Sequence, residues 1–516
     1  MNKNTIKKLV AVFFAACLLF TSCTKNEGDK NGVDSSGNAD AVPVSGSVGK
    51  FSLGYFSMDY LSPYRCTSEL NFNLNTLLYD GLVKISPSFS IENKIADNIS
   101  LSQTECVVTI RSGLLFSDNA TISASDVVYS YQRASASTNY KNRFKNVSSV
   151  RMISENQVAF TLKSPDSMFE YLLDFPIIKQ NSDDNAKKGE YSAPVGSGRY
   201  VLGGTDSAPL LIHNSNHFEQ KNTLLNEINL VDIHDIDLIS YRLKTGEINL
   251  SYSSADNELS GTIGTSTAPV SLNNLVFMGI NSKNSLLADM RIRQAITMAI
   301  DKSVVLTSGY SNKGVAAVGI FNPNYTHLIS EDSKVLYYDT DSAKKTLSSL
   351  GYTDTDDSGY LIKNGQRISL RILYSSESDY KKQTAEAIAS MLRRIGIETI
   401  LDGSVFSQYN SKVKNSQFDL YIGEIKISNN CDFSDFFEGS GAASYGIDKN
   451  ESLIAAYREF KLDSSKFLSF QNNFANYAPF VPLFYKSGTL SYSRSKITNL
   501  SIAAGDIFYN IEDWKF

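Results

Sequence analysis

The 516-residue chain has little of several residue types, and each scarcity narrows the range of functions. It carries only four histidines, which argues against a site for free metal ions. Lys and Arg number 49 against 54 Asp and Glu, and this acidic balance argues against nucleic-acid binding. Beyond residue 23 the cysteines are Cys66, Cys106 and Cys431, which are odd in number and far apart. They indicate neither a disulfide framework nor a cysteine metal site.

Motifs of several enzyme classes are also missing. The chain has no G-x-S-x-G elbow, no kinase set, no Walker loop and no dinucleotide fingerprint. His213 and His217 lie four residues apart, but the Asn-Ser-Asn between them favours a turn and supplies no acidic partner. Carboxylates are scattered through loops, so a glycosidase pair is neither singled out nor excluded. We therefore expect no enzyme, no cofactor and no metal site.

The N-terminus indicates export. A basic start with Lys3, Lys7 and Lys8 precedes an apolar run from Leu9 to Phe20. This run is short of the ~20 apolar residues that a membrane-spanning helix needs. It has the length of the apolar region of a secretory signal peptide. Residues 1–22 are therefore predicted to be a signal peptide.

Cys23 follows the small residues Thr21 and Ser22, and this arrangement resembles the lipobox of bacterial lipoproteins. Cys17 is a rival, but hydrophobic residues follow it, whereas a polar segment follows Cys23. An ordinary secreted protein remains the alternative. If Cys23 is lipidated, residues 23–47 form a flexible tether, because they are polar and lack apolar periodicity. The expected location is the outer face of the bacterial cytoplasmic membrane.

The rest of the chain is long enough for two or three domains with mixed α/β structure. Alternating apolar residues predict strands over Glu105–Arg111 and Gln157–Lys163, and helical stripes follow Asp289 and cover Lys382–Ile395. Near the C-terminal end, Gln417–Gly446 begins as a strand and continues as an acidic, aromatic loop. A loop that directly follows a core strand often forms a recognition surface.

Several motifs, taken in order, resemble the family 5 extracellular solute-binding proteins, the oligopeptide- and dipeptide-binding components of ABC importers. They run along nearly the whole mature chain: Leu61-Ser-Pro-Tyr64, Leu78–Val83, Ile110–Arg133, Pro194–Leu202, Thr245–Asn249 and Asn281–Asp301. Each motif alone is weak, but six in the family's order are a specific signal.

The resemblance implies an α/β fold of the periplasmic-binding-protein type II kind. Two lobes would close on a ligand, and an extra α+β domain would be inserted in lobe I. Carried over to this chain, the segments are lobe I at 48–88, 195–272 and 486–516, the inserted domain at 89–194, and lobe II at 273–485.

The resemblance also implies a function: a monomeric, lipid-anchored receptor that captures peptides and delivers them to ABC permease subunits. A lobe II acid would pair with the α-amino group of the peptide, with Asp432 as the first candidate and Glu424 as the second. The segment Thr67-Ser68-Glu69 would supply an opposing strand edge. The complete set of expected ligand-binding residues is Asp432, Glu424, Tyr64, Thr67, Glu69, Cys431, Tyr445 and Tyr485.

The chain departs most from the family around this loop. The family tryptophan after the glycine is replaced by Glu424, and the only tryptophan is Trp514. The family's D-Y-x-D-P signature is at best Asp432 to Phe436, without its proline. A second hypothesis therefore keeps the fold but assigns an oligosaccharide, a metal chelate or haem as ligand. A third is a lipidated hydrolase or adhesin.

Overall fold

The computed structural model describes residues 50–221, 223–254, 265–439, 441–493 and 497–516. The expected signal peptide, Cys23 and the tether therefore lie outside the described residues. Within them, no helix combines the length and the apolar character needed to cross a membrane.

The strands and helices are numbered here in chain order. The strands are β1 Ser52–Tyr55, β2 Val83–Ile85, β3 Ile91–Asn93, β4 Ala96–Leu101, β5 Glu105–Ile110, β6 Val147–Ser154, β7 Gln157–Leu162, β8 Tyr200–Thr205, β9 Ala208–His213, β10 Glu227–Asp232, β11 Leu250–Ser253, β12 Thr265–Ile280, β13 Gly314–Ala316, β14 Asp354–Thr355, β15 Leu361–Lys363, β16 Gln366–Arg367, β17 Ser369–Ser375, β18 Glu398–Ser404, β19 Leu420–Lys426 and β20 Phe480–Ser493. The α-helices are α1 Glu69–Leu78, α2 Ala124–Ala136, α3 Ile239–Thr245, α4 Met290–Ala299, α5 Lys302–Tyr310, α6 Thr340–Ser349, α7 Asp379–Arg394, α8 Phe406–Lys414, α9 Ser434–Phe437, α10 Glu451–Leu462 and α11 Phe467–Tyr477.

One long sheet runs through two lobes. Its strand order is β18-β17-β19-β12-β20-β11-β1-β10-β9-β8, and β13 pairs with β20 beside this path. The strands β1 and β8–β11 belong to lobe I, and β17–β19 belong to lobe II. The strands β12 and β20 are shared, because each is long enough to pair in both lobes.

Between β3 and β8 the chain forms a separate four-stranded sheet, in the order β4-β5-β7-β6. On β5 the side chains of Cys106, Val108 and Ile110 are buried, as their alternation predicted. The helix α2 packs on this sheet and begins at a capping box, in which the carboxylate of Asp126 accepts from the backbone N–H of Ser123 at 2.9 Å. These elements lie within the predicted inserted domain at 89–194. The domain boundaries themselves remain predictions.

The helices of lobe II follow from local signals in the sequence. Asp289 caps α4, and its carboxylate accepts from the backbone N–H of Arg291. The helix α7 buries Ile388, Met391 and Leu392 on one face and ends before Gly396, whose φ is +83°. These helices cover β17, β19 and the lobe II half of β12, and together they form a separate core of buried side chains. A larger core joins lobe I, the inserted domain and the loop after β19.

Candidate functional site

The two lobes present the carboxyl ends of their parallel strands to each other. In lobe I, β11 runs towards Ser253, which pairs with Thr489 of β20. In lobe II, β19 runs the opposite way along the shared strands, and Ile425 lies level with Leu275, the partner of Tyr485. The two ends are thus four residues of β20 apart, or ~13 Å at the rise of a strand. Ligands of open α/β sheets bind at such carboxyl edges.

The floor of this cleft is irregular. Pairing between β12 and β20 shifts between Ser271 and Leu275, so residues 272–274 have no partner on β20. The side chain of Asn273 instead donates to the hydroxyl of Tyr325 at 3.1 Å. The side chain of Asn274 donates to Oε1 of Glu424 at 3.3 Å. A bulge in a shared strand gives the connection between the lobes a point at which it can bend.

The lobe I wall contains a cavity of about 630 Å³ at the ends of β1, β10 and β11. Thr67 and Glu69 line it, as expected from the resemblance. The expected strand edge at residues 67–69 is not present, however. The carboxylate of Asp59 accepts from the backbone N–H groups of both Thr67 and Ser68 at 2.7 Å, and α1 begins at Glu69. The two backbone N–H groups are therefore already bonded to the buried Asp59 and cannot donate to the backbone of a ligand.

The lobe II wall centres on Glu424, which lies near the carboxyl end of β19. Its carboxylate contacts the ammonium group of Lys486 at 3.0 Å and accepts from the hydroxyl of Tyr380, with Lys381 at 3.9 Å. Burial opposes ionisation, but the hydrogen bond from Tyr380 and the charge of Lys486 lower the pKa of Glu424. Glu424 is therefore already paired inside lobe II, which weakens its claim as an amine anchor.

Asp432 lies in a different place, a side pocket of about 480 Å³ between the inserted domain and the segment after β19. One carboxylate oxygen accepts from Tyr457 at 2.9 Å and from the backbone N–H of Ser434 at 3.0 Å. Burial opposes ionisation, but the charge of Lys461 and the bonds from Ser434 keep the pKa of Asp432 below its ordinary value. Asp432 is thus an ionised acid facing a pocket.

The side pocket also contains a buried ion pair that links the inserted domain to lobe II. Asp166, on the inserted-domain side, lies 3.0 Å from the ammonium group of Lys461. It also accepts from the side-chain amide of Asn430 at 2.6 Å. The other amide atom of Asn430 is buried and has no hydrogen-bond partner among the described residues.

The remaining expected ligand-binding residues lie mainly in the core. Tyr64 is buried, and its hydroxyl donates to the backbone carbonyl of Pro176. Tyr485 is 1% exposed, and its hydroxyl donates to the backbone carbonyl of Ile320. Cys431 is a buried free thiol whose pKa burial raises. Tyr445 is half-buried against the larger core. The structure places Tyr64, Tyr485 and Cys431 away from the cleft surface, because their apolar neighbours bury them.

Sequence reasoning missed Lys486, Asn274 and Tyr380. A signal existed for one of them, since Lys486 directly follows an apolar run, Pro482-Leu-Phe-Tyr485. A lysine in such a place needs a partner, and Glu424 supplies it. In the part of the chain that the structure describes, no three His, Cys, Asp or Glu side chains come together as metal ligands would.

Two lobes joined by shared strands, with a cleft between facing carboxyl edges, define a two-lobe periplasmic binding fold of type II. The family model for bacterial extracellular solute-binding proteins, family 5 middle, matches residues 91–445. The chain belongs to family 5 of the bacterial extracellular solute-binding proteins. The resemblance and the fold class read from the motifs are thereby confirmed.

The chain is similar to the following three known proteins. The oligopeptide-binding protein AppA of Bacillus subtilis is 23% identical over 565 aligned residues, covering 99% of each chain. The unliganded open form of the periplasmic murein tripeptide binding protein MppA gives a TM-score of 0.73 at 18% identity, with 87% of this chain and 94% of that chain covered. NikA of Brucella suis, in complex with Fe(III)-EDTA, gives a TM-score of 0.66 at 17% identity, with 90% of this chain and 99% of that chain covered.

Proposed function

We propose that this protein is a lipid-anchored extracytoplasmic receptor that binds a peptide in the cleft between its lobes and delivers it to an ABC permease. The observation that carries the proposal is the facing of two carboxyl edges across the floor formed by β12 and β20. The similarity to an oligopeptide-binding protein over 99% of both chains supports a peptide as ligand.

The cleft suits binding rather than turnover. Its floor of ~13 Å has room for an extended chain and side chains on both faces of that chain. Two walls that lie on different lobes contact one ligand together only when the lobes close. Affinity then comes from contacts that exist only in the closed state, and the closed state is the form that a permease distinguishes. The protein acts as a monomer in this scheme.

Asp432 is the acid proposed to hold the α-amino group of the peptide. It is ionised, it faces a pocket, and it is held by neutral donors and a single lysine. Glu424 is the weaker candidate, because Lys486, Lys381, Tyr380 and Asn274 surround its carboxylate. An amine would have to displace one of these partners in order to reach it.

A non-peptide ligand is the alternative, and the charged lobe II wall is the observation that favours it. Where the family pattern has a tryptophan, this chain has Glu424 with two lysines around it. Such a wall suits a charged, compact ligand such as a metal chelate. The similarity to a protein in complex with Fe(III)-EDTA is in keeping with this alternative.

Calorimetric titration of the purified protein with a defined panel tests the two proposals. The panel contains Ala-Ala to hexa-alanine, cellotetraose, nickel–histidine, Fe(III)-EDTA and haem. We expect at least one peptide to bind and the sugar not to bind. Binding of cellotetraose, a chelate or haem without any peptide would establish the alternative. Binding of none, together with turnover of a chromogenic ester or glycoside, would overturn both.

The variant Asp432→Asn tests the proposed anchor. Asparagine keeps an oxygen that can accept from Tyr457 and Ser434, so the fold of the loop is expected to be retained. We expect peptide affinity to fall about tenfold, because a charge-assisted bond becomes a neutral one. The matched control is Asp435→Asn, three residues further on and outside the pocket lining. Equal affinities for both variants would remove Asp432 from the site.

A further inference from the structure

The inserted domain, predicted at 89–194, is fastened to lobe I by backbone hydrogen bonds. The N–H of Leu82 donates to the carbonyl of Leu173 at 3.1 Å, and the N–H of Ile177 donates to the carbonyl of Asp80 at 2.8 Å. Leu82 and Leu173 are also buried in the same hydrophobic core. Since packed cores do not deform continuously, the inserted domain moves together with lobe I as one body.

The inserted domain also contacts lobe II directly, at the last turn of α10. The backbone N–H of Ser167 donates to the carbonyl of Lys461 at 2.8 Å, and its hydroxyl donates to the carbonyl of Phe460 at 2.8 Å. The neighbouring Asp166 is 2% exposed, and its carboxylate lies 3.0 Å from the ammonium group of Lys461 and accepts from Asn430 at 2.6 Å. Separation of these groups would leave a buried carboxylate without its cation, so the contact resists separation.

Aromatic rings extend this contact towards the floor of the cleft. The ring of Tyr325 in lobe II stacks on the ring of Phe89, with centroids 4.3 Å apart, and both side chains are fully buried. The hydroxyl of Tyr325 accepts from the side chain of Asn273 at 3.1 Å and donates to the backbone carbonyl of Asn429 at 2.9 Å. Tyr325 thus joins the contact with the inserted domain to the bulge at 272–274, where the shared strand β12 can bend.

Other polar groups at this contact add little net attraction between the inserted domain and lobe II. The ammonium group of Lys426 is repelled by Arg143 and attracted by Asp174, and these two residues form an ion pair with each other. The hydroxyl of Tyr171 lies 3.0 Å from Nε2 of His327. Burial lowers the pKa of His327, so its imidazole is neutral near pH 7. The electrostatic attraction across the contact therefore comes mainly from the buried ion pair at α10.

Lobe II is thus attached to the rest of the protein at two places, the shared strands and the contact with the inserted domain. A body held at one flexible place can both bend and twist, whereas a body held at two places can rotate only about the line that joins them. We infer that the contact of Asp166 and Ser167 with α10 is a second hinge contact, which restricts the motion between the lobes to rotation about one axis through this contact and the bulge at 272–274. Groups on a rotation axis move little, so the contact persists in open and closed forms. The inference rests on the proposed function only in that it takes lobe closure as the relevant motion.

The distance between two spin labels, measured by double electron–electron resonance without any ligand, tests this inference. Ile236 of lobe I is 66% exposed and Phe406 of lobe II is 54% exposed, and each lies just beyond the carboxyl end of a strand, β10 and β18 respectively. Both are replaced by cysteine and labelled in a protein in which Cys17 and Cys23 are serine. The three remaining cysteines are buried and are not expected to react. We expect narrow maxima in the distance distribution of this labelled protein.

Lys461→Met is expected to widen the distance distribution about twofold, because the unpaired carboxylate of Asp166 is drawn towards water, the contact opens, and twisting is added to bending. The double variant Asp166→Asn/Lys461→Met leaves no unpaired charge, and its distribution should return part of the way to the narrow form. The milder Ser167→Ala removes the hydrogen bond to Phe460 and keeps the ion pair, so it should widen the distribution measurably but less.

Lys412→Met is the matched control. The ammonium group of Lys412 lies 2.8 Å from the carboxylate of Asp402, and both residues belong to lobe II. Its loss also removes the cation beside an acid, but it does so within one body. The free energy of unfolding may fall in this variant, whereas the distance distribution should stay as narrow as in the unmodified protein.

The outcomes separate this inference from the proposed function. An unchanged distribution in a folded Lys461→Met would overturn the inference, since the shared strands alone would then restrict the motion. If Lys461→Met does not fold, Ser167→Ala decides, and an unchanged distribution in that variant overturns the inference. Widening in Lys412→Met as well would also overturn it, because any lost ion pair would then have the same effect. The proposed function fails separately, if no peptide binds, since no ligand enters this measurement.

Discussion

The ammonium group of Lys486 lies 3.0 Å from Oε1 of Glu424, and this contact joins the shared strand β20 to the carboxyl end of β19. The side chain of Lys486 is fully buried, and its ammonium group also lies over the rings of Tyr380 and Tyr310, at 4.9 Å and 5.3 Å from their centroids. The pair thus holds the floor of the cleft to lobe II.

Glu424→Gln is expected to destabilise the protein by roughly 1–3 kcal/mol, because it removes a negative charge that lies 3.0 Å from a buried ammonium group. Urea unfolding followed by circular dichroism measures this change in the free energy of unfolding. Glu438→Gln, which alters an exposed acid of the same loop region, serves as control and should change it little. An unchanged unfolding midpoint for Glu424→Gln would show that the charge pair contributes nothing.

The carboxyl group of Glu424 also predicts that the stability of the protein depends on pH. The pKa of Glu424 is lower in the folded protein than the ordinary value near ~4.3. Its contribution to stability is therefore present above that ordinary value and is lost as the pH falls through the folded pKa. The difference in unfolding free energy between the unmodified protein and Glu424→Gln should shrink when urea titrations are moved from pH 6 to pH 3. A constant difference would contradict the assignment.

Gly198→Ala is expected to destabilise the protein strongly. A Cβ at Gly198 would lie less than 3.0 Å from backbone atoms of Leu77, Leu78 and Tyr79, at the end of α1. Since backbone cannot yield as a side chain can, we expect a cost of about 1–3 kcal/mol or more. Gly246→Ala is the control, because no atom lies within 4 Å of a Cβ there and only its φ of +75° is unfavourable. Thermal unfolding of both variants decides whether close approach or backbone strain matters more.

The sequence predicted the elements well because their signals are local. The alternation along β5, the helical stripe after Asp289 and the stripe of α7 each depend on residues within a few positions of one another. The order of the family motifs predicted the two-lobe fold. Both kinds of signal can be read from the sequence without knowing which distant residues are in contact.

The site was harder to predict because its contacts are distant in the chain. Glu424 and Lys486 are 62 positions apart, and no pattern along the chain shows that they meet. The alternation of strand and loop could not show that Asp59 would take the N–H groups of Thr67 and Ser68. The resemblance placed Tyr64 and Tyr485 among the ligand-binding residues, but the sequence could not show that both side chains are buried.

Cys23→Ser tests the proposed lipid anchor. We expect the unmodified protein to enter the detergent phase of a Triton X-114 extraction and to incorporate an alkynyl palmitate analogue in cells. The serine variant should lose both properties and be released into the medium, because the thiol proposed to carry the lipid is absent. Cys17→Ser is the matched control and should behave like the unmodified protein. Loss of labelling in Cys17→Ser instead would assign the anchor to the rival cysteine.

His217 predicts a dependence of stability on pH that is opposite in direction to that of Glu424. Burial alone would lower its pKa, but the negative charge of Asp80, whose carboxylate lies 3.4 Å from Nε2, and the contact of Nδ1 with the backbone carbonyl of Glu219 raise the pKa above its ordinary value of ~6.5. The protonated imidazole is thus the form that the fold favours. Its contribution to stability is fully present below the ordinary pKa and is lost as the pH rises through the raised, folded value.

His217→Gln should therefore cost more at pH 5.5 than at pH 8.5, as measured by urea unfolding at both values. Glutamine can still donate a hydrogen bond to Asp80 but carries no charge, so the difference between the two measurements reports the charge alone. Arg199 also faces this cluster and stays protonated over the whole range, so it adds no pH dependence of its own. A cost that grows with pH would mean that His217 is neutral in the folded protein and that Asp80 does not act on it.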